Sequence, residues 1–406
     1  MLGFAPLASA TFADIGQGLS YRISFDSGSF AVTGNDVNAA TSITADEATF
    51  TLTGQTSPLV VTKPASEATF TLTGQDIDFT VQNSLLAAHV NYIMTPQDAD
   101  AAWKRVAGAG TFSLTGQSSG VNYPLVGGDT SYALSGQTSV FGVTLLAGEA
   151  TYDLTGQAAN TNTKISSNAG SFTVTGQEIA IRPTTVIIID DSGLFTLAGQ
   201  DINFDVQDNF VVDAGTFTVT GQNVIVATSV AHAEGIFTLT GQDAGLVVAE
   251  QLPVGSATYT ITGQDINFEV SDNFVAEAGV FIVGGEDVSL TVNYPLVLTE
   301  PYLFNLDEQD AALIKGRSLV ADGTTYSITG EDAVFTPEIT LPATRGVFSV
   351  SGQDIALIFP LSVDEGTFTL TGPDITISNP SSRRGVLVTG KSFNKVTLSK
   401  GYNKVA

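Results

Sequence analysis

One short segment recurs along almost the whole chain, and its spacing constrains the fold more than any other feature of the sequence. The segment Ala-Thr-Phe-Thr-Leu-Thr-Gly-Gln at 68–75 returns nearly unchanged at 48–55 and 235–242. Aligned on its glycine, the segment occurs in 19 copies spaced 18 to 23 residues apart, and two degenerate copies carry Pro96 and Glu308 at the glycine position. Such a period is typical of repeat architectures, in which each copy supplies one supersecondary unit. The predicted repeat turns are Gly54, Gly74, Gly116, Gly136, Gly156, Gly176, Gly221, Gly241 and Gly263.

Apolar and hydroxyl side chains alternate within each copy. Of the 19 copies, 18 carry Phe or Tyr four residues before the glycine position, and 18 carry an aliphatic residue two before it. A period of two is typical of a strand with one buried face. The sequence therefore predicts an aromatic core that includes Phe50, Phe70, Phe112, Phe172, Phe217, Phe237 and Phe368.

The alternation changes phase at Gly-Gln, so the chain must turn there. In the copy at Gly74, Leu72 is followed by Ile77 on what would be the opposite face of a straight strand. A tight hairpin with glycine at positive φ explains this change, and so does a corner between two strands of a solenoid coil. Pro96 argues against a positive φ, because proline fixes φ at about −65°. Each unit thus consists of a strand, a Gly-Gln turn, a second strand and a linker of variable length.

The predicted fold class is an elongated all-β repeat protein of 19 strand-turn-strand units. An isolated unit of this kind is marginal in water, so stacking or intertwining must complete the core. In a β-solenoid each repeat forms one coil; in an intertwined, β-spiral-like shaft three chains share an axial core. In-register Gln and Thr columns favour the solenoid, whereas the uneven period and Pro96 favour the spiral. The sequence leaves both open, and it predicts a homo-oligomer, with a trimer favoured.

Two short helices are predicted at the degenerate copies. Residues 95–106 and 307–316 both show an N-cap residue, acidic residues early and basic residues late, which is the charge order that stabilises helices. They divide the chain into a leader for attachment (1–15), a repeat block (16–82), a helical node (83–110), a second block (111–300), a second node (301–320), a third block (321–382) and a basic end piece (383–406).

Composition excludes several functional classes. The chain has no Cys, two His and a net charge of −26, which argues against disulfide scaffolds, Cys-ligated metals and nucleic-acid binding. The sequence shows no apolar run long enough to span a bilayer. No arrangement of residues suggests an enzyme. Stacked acids could form a ladder for structural Ca²⁺, although solvated turn residues are the favoured interpretation of Asp76, Asp98, Asp201, Asp243, Asp265, Asp310 and Asp354.

The basic residues concentrate in one segment. Residues 383–406 contain six of the 15 Lys and Arg and no acid. This asymmetry predicts either contact with an anionic partner or a cap on a sheet edge that Lys protects from further pairing. The residues concerned are Arg383, Arg384, Lys391, Lys395, Lys400 and Lys404.

The repeat resembles that of tandem-repeat structural proteins of tailed phages, of the marine and alphaproteobacterial type. The resemblance rests on units such as Ala-Gly-Thr-Phe-Thr-Val-Thr-Gly-Gln and covers nearly the whole chain. It implies a non-enzymatic fibre, spike or shaft of the virion, located outside the cell, with other virion proteins and host-surface glycans as partners. A bacterial extracellular adhesin or fibril built from the same repeats is the alternative.

Overall fold

Nearly every described residue of the chain lies in a β-strand. In a computed structural model, the described residues are 10–13, 19–34, 39–61, 67–121, 125–141, 144–147, 151–161, 164–167, 170–182, 187–189, 193–212, 214–232, 235–248, 252–254, 256–270, 274–276, 279–292, 296–298, 302–314, 319–321, 325–336, 341–343, 347–358, 361–363, 367–378, 388–390 and 396–398. None of these residues is helical. The prediction of an all-β repeat protein is therefore confirmed.

The chain divides into two compact units, residues 1–199 and 200–406. The strands of the first unit are β1 (Ala10–Ala13), β2 (Leu19–Thr33), β3 (Ala39–Thr53), β4 (Thr56–Val61), β5 (Glu67–Thr73), β6 (Asp76–Thr95), β7 (Asp98–Thr115), β8 (Ser118–Val121), β9 (Leu125–Phe141), β10 (Thr144–Ala147), β11 (Thr151–Thr161), β12 (Lys164–Ser167), β13 (Ser171–Ile181) and β14 (Ile187–Ile189). The unit boundary falls within β15 (Leu194–Val212).

The strands of the second unit follow the same short-period order. They are β16 (Thr216–Thr220), β17 (Asn223–His232), β18 (Ile236–Thr240), β19 (Asp243–Val248), β20 (Leu252–Val254), β21 (Thr258–Thr262), β22 (Asp265–Val270), β23 (Phe274–Ala276), β24 (Gly279–Val292), β25 (Leu296–Leu298), β26 (Tyr302–Ile314), β27 (Leu319–Ala321), β28 (Thr325–Thr329), β29 (Asp332–Thr336), β30 (Leu341–Ala343), β31 (Val347–Ser351), β32 (Asp354–Ile358), β33 (Leu361–Val363), β34 (Thr367–Thr371), β35 (Asp374–Ser378), β36 (Val388–Gly390) and β37 (Val396–Leu398).

From the copy at Gly34 to the copy at Gly372, each repeat pairs in parallel and in register with the next, whereas the first copy pairs Phe12 with Val32, two residues away from the sequence alignment. In the first unit Phe50 pairs with Phe70 and Phe70 with Tyr92, and in the second unit Phe217 pairs with Phe237. Parallel pairing at an offset of one repeat means that each repeat is one coil. Each unit is therefore a parallel β-solenoid, which decides between the two arrangements that the sequence left open.

A coil whose segments are all described contributes strands to three sheets. The aromatic sheet contains the segments before each glycine, such as β16 and β18. The acidic sheet contains the segments after Gly-Gln, such as β19 and β22. The short sheet contains strands of three or four residues, such as β20 and β23 in the second unit and β10 and β12 in the first. The short sheet lies in the stretches that the sequence had assigned to linkers.

Inward-facing side chains of the aromatic and acidic sheets form the core. Phe217, Val219, Val224 and Val226 are all fully buried. The Phe204 ring of the acidic sheet packs 5.2 Å from the Phe217 ring of the aromatic sheet. Because one chain buries its own aromatic residues, the shared axial core that suggested a trimer is not needed.

The aromatic rings form continuous stacks within each unit. In the first unit the ring centroids of Phe70 and Tyr92 lie 5.0 Å apart, and those of Tyr132 and Tyr152 lie 4.8 Å apart. In the second unit Phe281 and Phe304 stack at 5.1 Å. The degenerate copies, which contain Tyr92 and Phe304, thus continue the stacks as ordinary coils.

The Gly-Gln turn is a corner of the coil, and its interpretation as a hairpin with positive φ is wrong. Among the described glycines, positive φ is found at Gly110 and Gly279, neither of which is a repeat-turn glycine. The corners stack on each other instead: the Gly221 amide donates to the Thr240 carbonyl at 2.9 Å, one coil further on. At Gly263 an added Cβ would lie 2.6 Å from the Gly241 carbonyl oxygen. Glycine is favoured at such corners because neighbouring coils approach closely, although the two degenerate coils carry Pro96 and Glu308 at this position.

The two predicted helices are also wrong. Residues 98–106 lie in β7, which pairs with β6, and residues 307–314 lie in β26, which pairs with β24 and with β28 and β29. Residues 315 and 316 lie outside the described part. Helix capping and charge order are weak local preferences, and hydrogen bonding to coils on both sides outweighs them.

The nineteenth copy, at Gly390, does not extend the parallel stack, and its segment covers the edge of the coil before it. Strand β37 pairs antiparallel with β34, and β36 pairs antiparallel with β35. Antiparallel strands end the parallel stack, as the predicted edge cap requires. The two strands attach to different sheets, β37 to the aromatic sheet and β36 to the acidic sheet.

Candidate functional surfaces

The outer face of the aromatic sheet displays columns of hydroxyl side chains. In β16, Thr216, Thr218 and Thr220 alternate with the buried Phe217 and Val219. The parallel register places Thr218 beside Thr238 of the next coil, and Thr238 beside Thr260 of the coil after it. Because strands lie about 4.8 Å apart, a residue that recurs in the sequence becomes a regular row on the surface.

Hydroxyl groups in these rows bond to each other between coils. The Oγ1 atoms of Thr240 and Thr262 lie 3.2 Å apart, and Ser351 Oγ donates to Thr329 Oγ1 at 3.4 Å. In the first unit Ser135 Oγ donates to Thr115 Oγ1 at 3.1 Å. The row next to each corner therefore satisfies part of its own hydrogen-bonding capacity within the sheet.

Large apolar side chains interrupt the hydroxyl rows of the second unit. Ile236, Leu303 and Val347 are 48%, 39% and 44% exposed, and each immediately precedes the aromatic position of its coil. Of the 23 outward positions with described side chains on β16, β18, β21, β24, β26, β28, β31 and β34, 15 are Thr or Ser and one, Asp307, is charged. This set of outward positions is hereafter called the neutral face.

The acidic sheet carries a column of aspartates at the first position of its strands. In the second unit the register joins seven of them in consecutive coils: Asp243, Asp265, Asp287, Asp310, Asp332, Asp354 and Asp374. In the first unit Asp76 pairs with Asp98. The sequence pattern missed Asp287, Asp332 and Asp374, because Glu or Pro replaces the preceding Gln in those copies.

A groove of about 800 Å³ runs beside part of this column. It arises at Gly245, which pairs with Ile225 on one side and Asn267 on the other, so the row of side chains has a gap between them. Carboxylates of the column line one side of the groove. At its first coil Asn223 replaces aspartate and donates to Asp201 Oδ1 at 2.6 Å.

Most of the site residues predicted from the sequence lie in the described part of the structure. Phe50, Phe70, Phe112, Phe172, Phe217 and Phe237 are buried in the aromatic stacks. Phe368 lies in β34 and pairs with Phe348, and its side chain is outside the described part. The predicted turn glycines lie at the corners between the aromatic and acidic sheets. The six basic residues between 383 and 404 all lie outside the described residues, so their contact with an anionic partner stays a prediction.

The described residues contain neither a metal-binding cluster nor a membrane-spanning helix. No three His, Asp or Glu side chains among them lie close enough together to hold a metal ion. Likewise, the described part contains no helix long and apolar enough to cross a membrane. Comparisons of the chain with protein-family models, with curated proteins and with solved structures each found no match.

Proposed function

We propose that the chain is a non-enzymatic structural protein of a fibre or shaft, in which the number of stacked coils sets the length. The observation that carries this proposal is the in-register stacking of consecutive repeats within each unit, with a core that continues from coil to coil. Each coil adds about 4.8 Å. A coil contacts mainly its two neighbours, so coils can be added or removed without redesign of the rest.

The resemblance of the repeat to structural proteins of tailed phages supports a place in a virion, as a fibre, spike or tail-associated shaft used in attachment or assembly. In this proposal the basic segment 383–406 provides the contact with an anionic surface. The alternative is a bacterial extracellular adhesin or fibril with the same repeats.

The structural part of the proposal is tested by removing one coil. Deletion of residues 221–240 joins Thr220 to Gly241, which occupies the same position in the next coil as Gly221. The product should be soluble, keep the circular dichroism of a β-protein, and have a maximum dimension smaller by about 4.8 Å in small-angle X-ray scattering. Deletion of residues 221–230 is the matched control, because it removes half a coil and destroys the register. Misfolding of both products to the same extent would contradict the modular solenoid.

The location is tested separately. Mass spectrometry of purified phage particles should detect the chain, and antibodies against it should label those particles in electron micrographs. Recovery of the chain in the surface fraction of cells that produce no particles would favour the adhesin instead.

A further inference from the structure

The two outer faces with described side chains differ sharply in charge. In the acidic sheet, aspartates occupy the same register position in seven consecutive coils of the second unit. The neutral face has one charged residue among its 23 described outward positions. In a chain of net charge −26, an acidic face would repel a second copy, whereas the neutral face would not.

The neutral face also carries side chains that favour its burial against another protein. Ile236, Leu303 and Val347 expose between 39% and 48% of their area. Covering them removes apolar surface from water. Hydroxyl groups beside them, such as those of Thr240 and Thr262, already bond to each other, which lowers the cost of removing water from the face.

The dimensions of the neutral face match a weak but specific interface. Eight strands about 4.8 Å apart span about 34 Å, and five residues of about 3.3 Å each span about 13 Å. Two such faces bury about 900 Å² in total, which is less than the roughly 1,200 Å² of stable interfaces and within the range of weak, transient ones. Continuous parallel pairing from β16 to β34 keeps the whole face in one sheet.

We infer that the neutral face binds the same face of a second copy, so that the chain forms a dimer by face-to-face packing of two aromatic sheets. The contact is isologous: the same patch is used by both copies. The two sheets pack about 10 Å apart, as sheets in β-sandwiches do. This inference goes beyond the proposed function, and the coil-deletion experiment tests the solenoid whether or not the dimer forms.

The test is sedimentation equilibrium of the full chain from about 1 to about 100 µM, where an interface of this size should dimerise. The face variant is Ile236→Lys with Val347→Lys. Its matched control is Ile225→Lys with Val334→Lys, at positions of the acidic sheet that are 53% and 40% exposed. Both variants change the net charge equally, so a general effect of charge would appear in both.

The expected result is a concentration-dependent dimer for the wild type and the control, and at least a tenfold higher dissociation constant for the face variant. Raising the salt concentration should not dissociate the dimer, because no ion pairs hold it. A wild-type protein that stays monomeric at about 100 µM overturns the inference. The inference is also overturned if the face variant associates as tightly as the wild type. It is likewise overturned if the control alone loses association.

A second measurement does not depend on how well the lysine variants fold. The chain has no Cys, so Ile282→Cys places a single thiol in the middle of the neutral face, and Ser289→Cys places one on the acidic sheet of the same strand β24. A bismaleimide that spans about 10 Å should cross-link two copies of the first variant and not of the second. Equal cross-linking of the two variants, or none of Ile282→Cys, overturns the inference.

Discussion

Substitution of a corner glycine tests why glycine recurs at the corner of the coil. An alanine Cβ at Gly263 would lie 2.6 Å from the Gly241 carbonyl oxygen and 3.2 Å from the Gln242 carbonyl oxygen. Both atoms belong to the backbone of the preceding coil, so they can move only if the coils separate. Overpacking of this kind costs about 1–3 kcal/mol. Gly263→Ala should therefore lower the free energy of unfolding by about 2 kcal/mol in urea titrations followed by circular dichroism.

Two further variants separate the effect of the close contact between coils from the effect of glycine's backbone freedom. Gly245→Ala is the matched control, because its Cβ would meet nothing closer than the Val224 carbonyl oxygen at 3.8 Å. It should be neutral or stabilise by about 0.4–1 kcal/mol through the unfolded chain. Gly263→Asn should be at least as harmful as Gly263→Ala, although asparagine tolerates positive φ well. If Gly263→Asn were tolerated while Gly263→Ala was not, the close-approach argument would be refuted.

Three other predictions follow from burial and register. Phe217→Ala should cost about 3–5 kcal/mol, whereas Thr218→Ala, on the outer face of the same strand, should cost no more than about 1 kcal/mol; equal losses in urea titrations would contradict the assignment of faces. Thr161 is fully buried, and its hydroxyl has no hydrogen-bond partner among the described residues, so Thr161→Val should raise the melting temperature through a gain of about 1 kcal/mol. Asp265→Asn should stabilise the protein at low salt, and the gain should disappear at about 1 M salt; Asp153→Asn, whose register neighbours are Ala133 and Thr173, should show no such salt dependence.

The strand pattern could be predicted from the sequence because it depends on local alternation. Phe70 and Leu72 share a face at a period of two, and the phase change before Ile77 required a turn. The choice between hairpin and corner could not be predicted, since both place Leu72 and Ile77 in one core. That choice depends on which strands pair, and pairing between Phe70 and Tyr92 is a contact across one full repeat.

The errors have a common physical origin. At residues 95–106 capping signals suggested a helix, but the strand bonds to coils on both sides. The short sheet was missed because strands such as Leu252–Val254 are too brief to show alternation. The acidic column was seen in part, because the search followed Gln-Asp and passed over Asp287, Asp332 and Asp374.

The coils can stack without an aspartate at every position of the acidic column. Ser118 and Asn223 occupy the same column, pair in the same register and leave the corner intact. Two carboxylates about 4.8 Å apart in water repel each other by about 0.9 kcal/mol. A solenoid repeats that cost in every coil, because its period equals the period of the sequence. Seven consecutive aspartates therefore work against the fold, while they keep one face solvated and repel other copies from it. In the dimer inferred above, this cost on one sheet and the near absence of charge on the next would direct association to the neutral face.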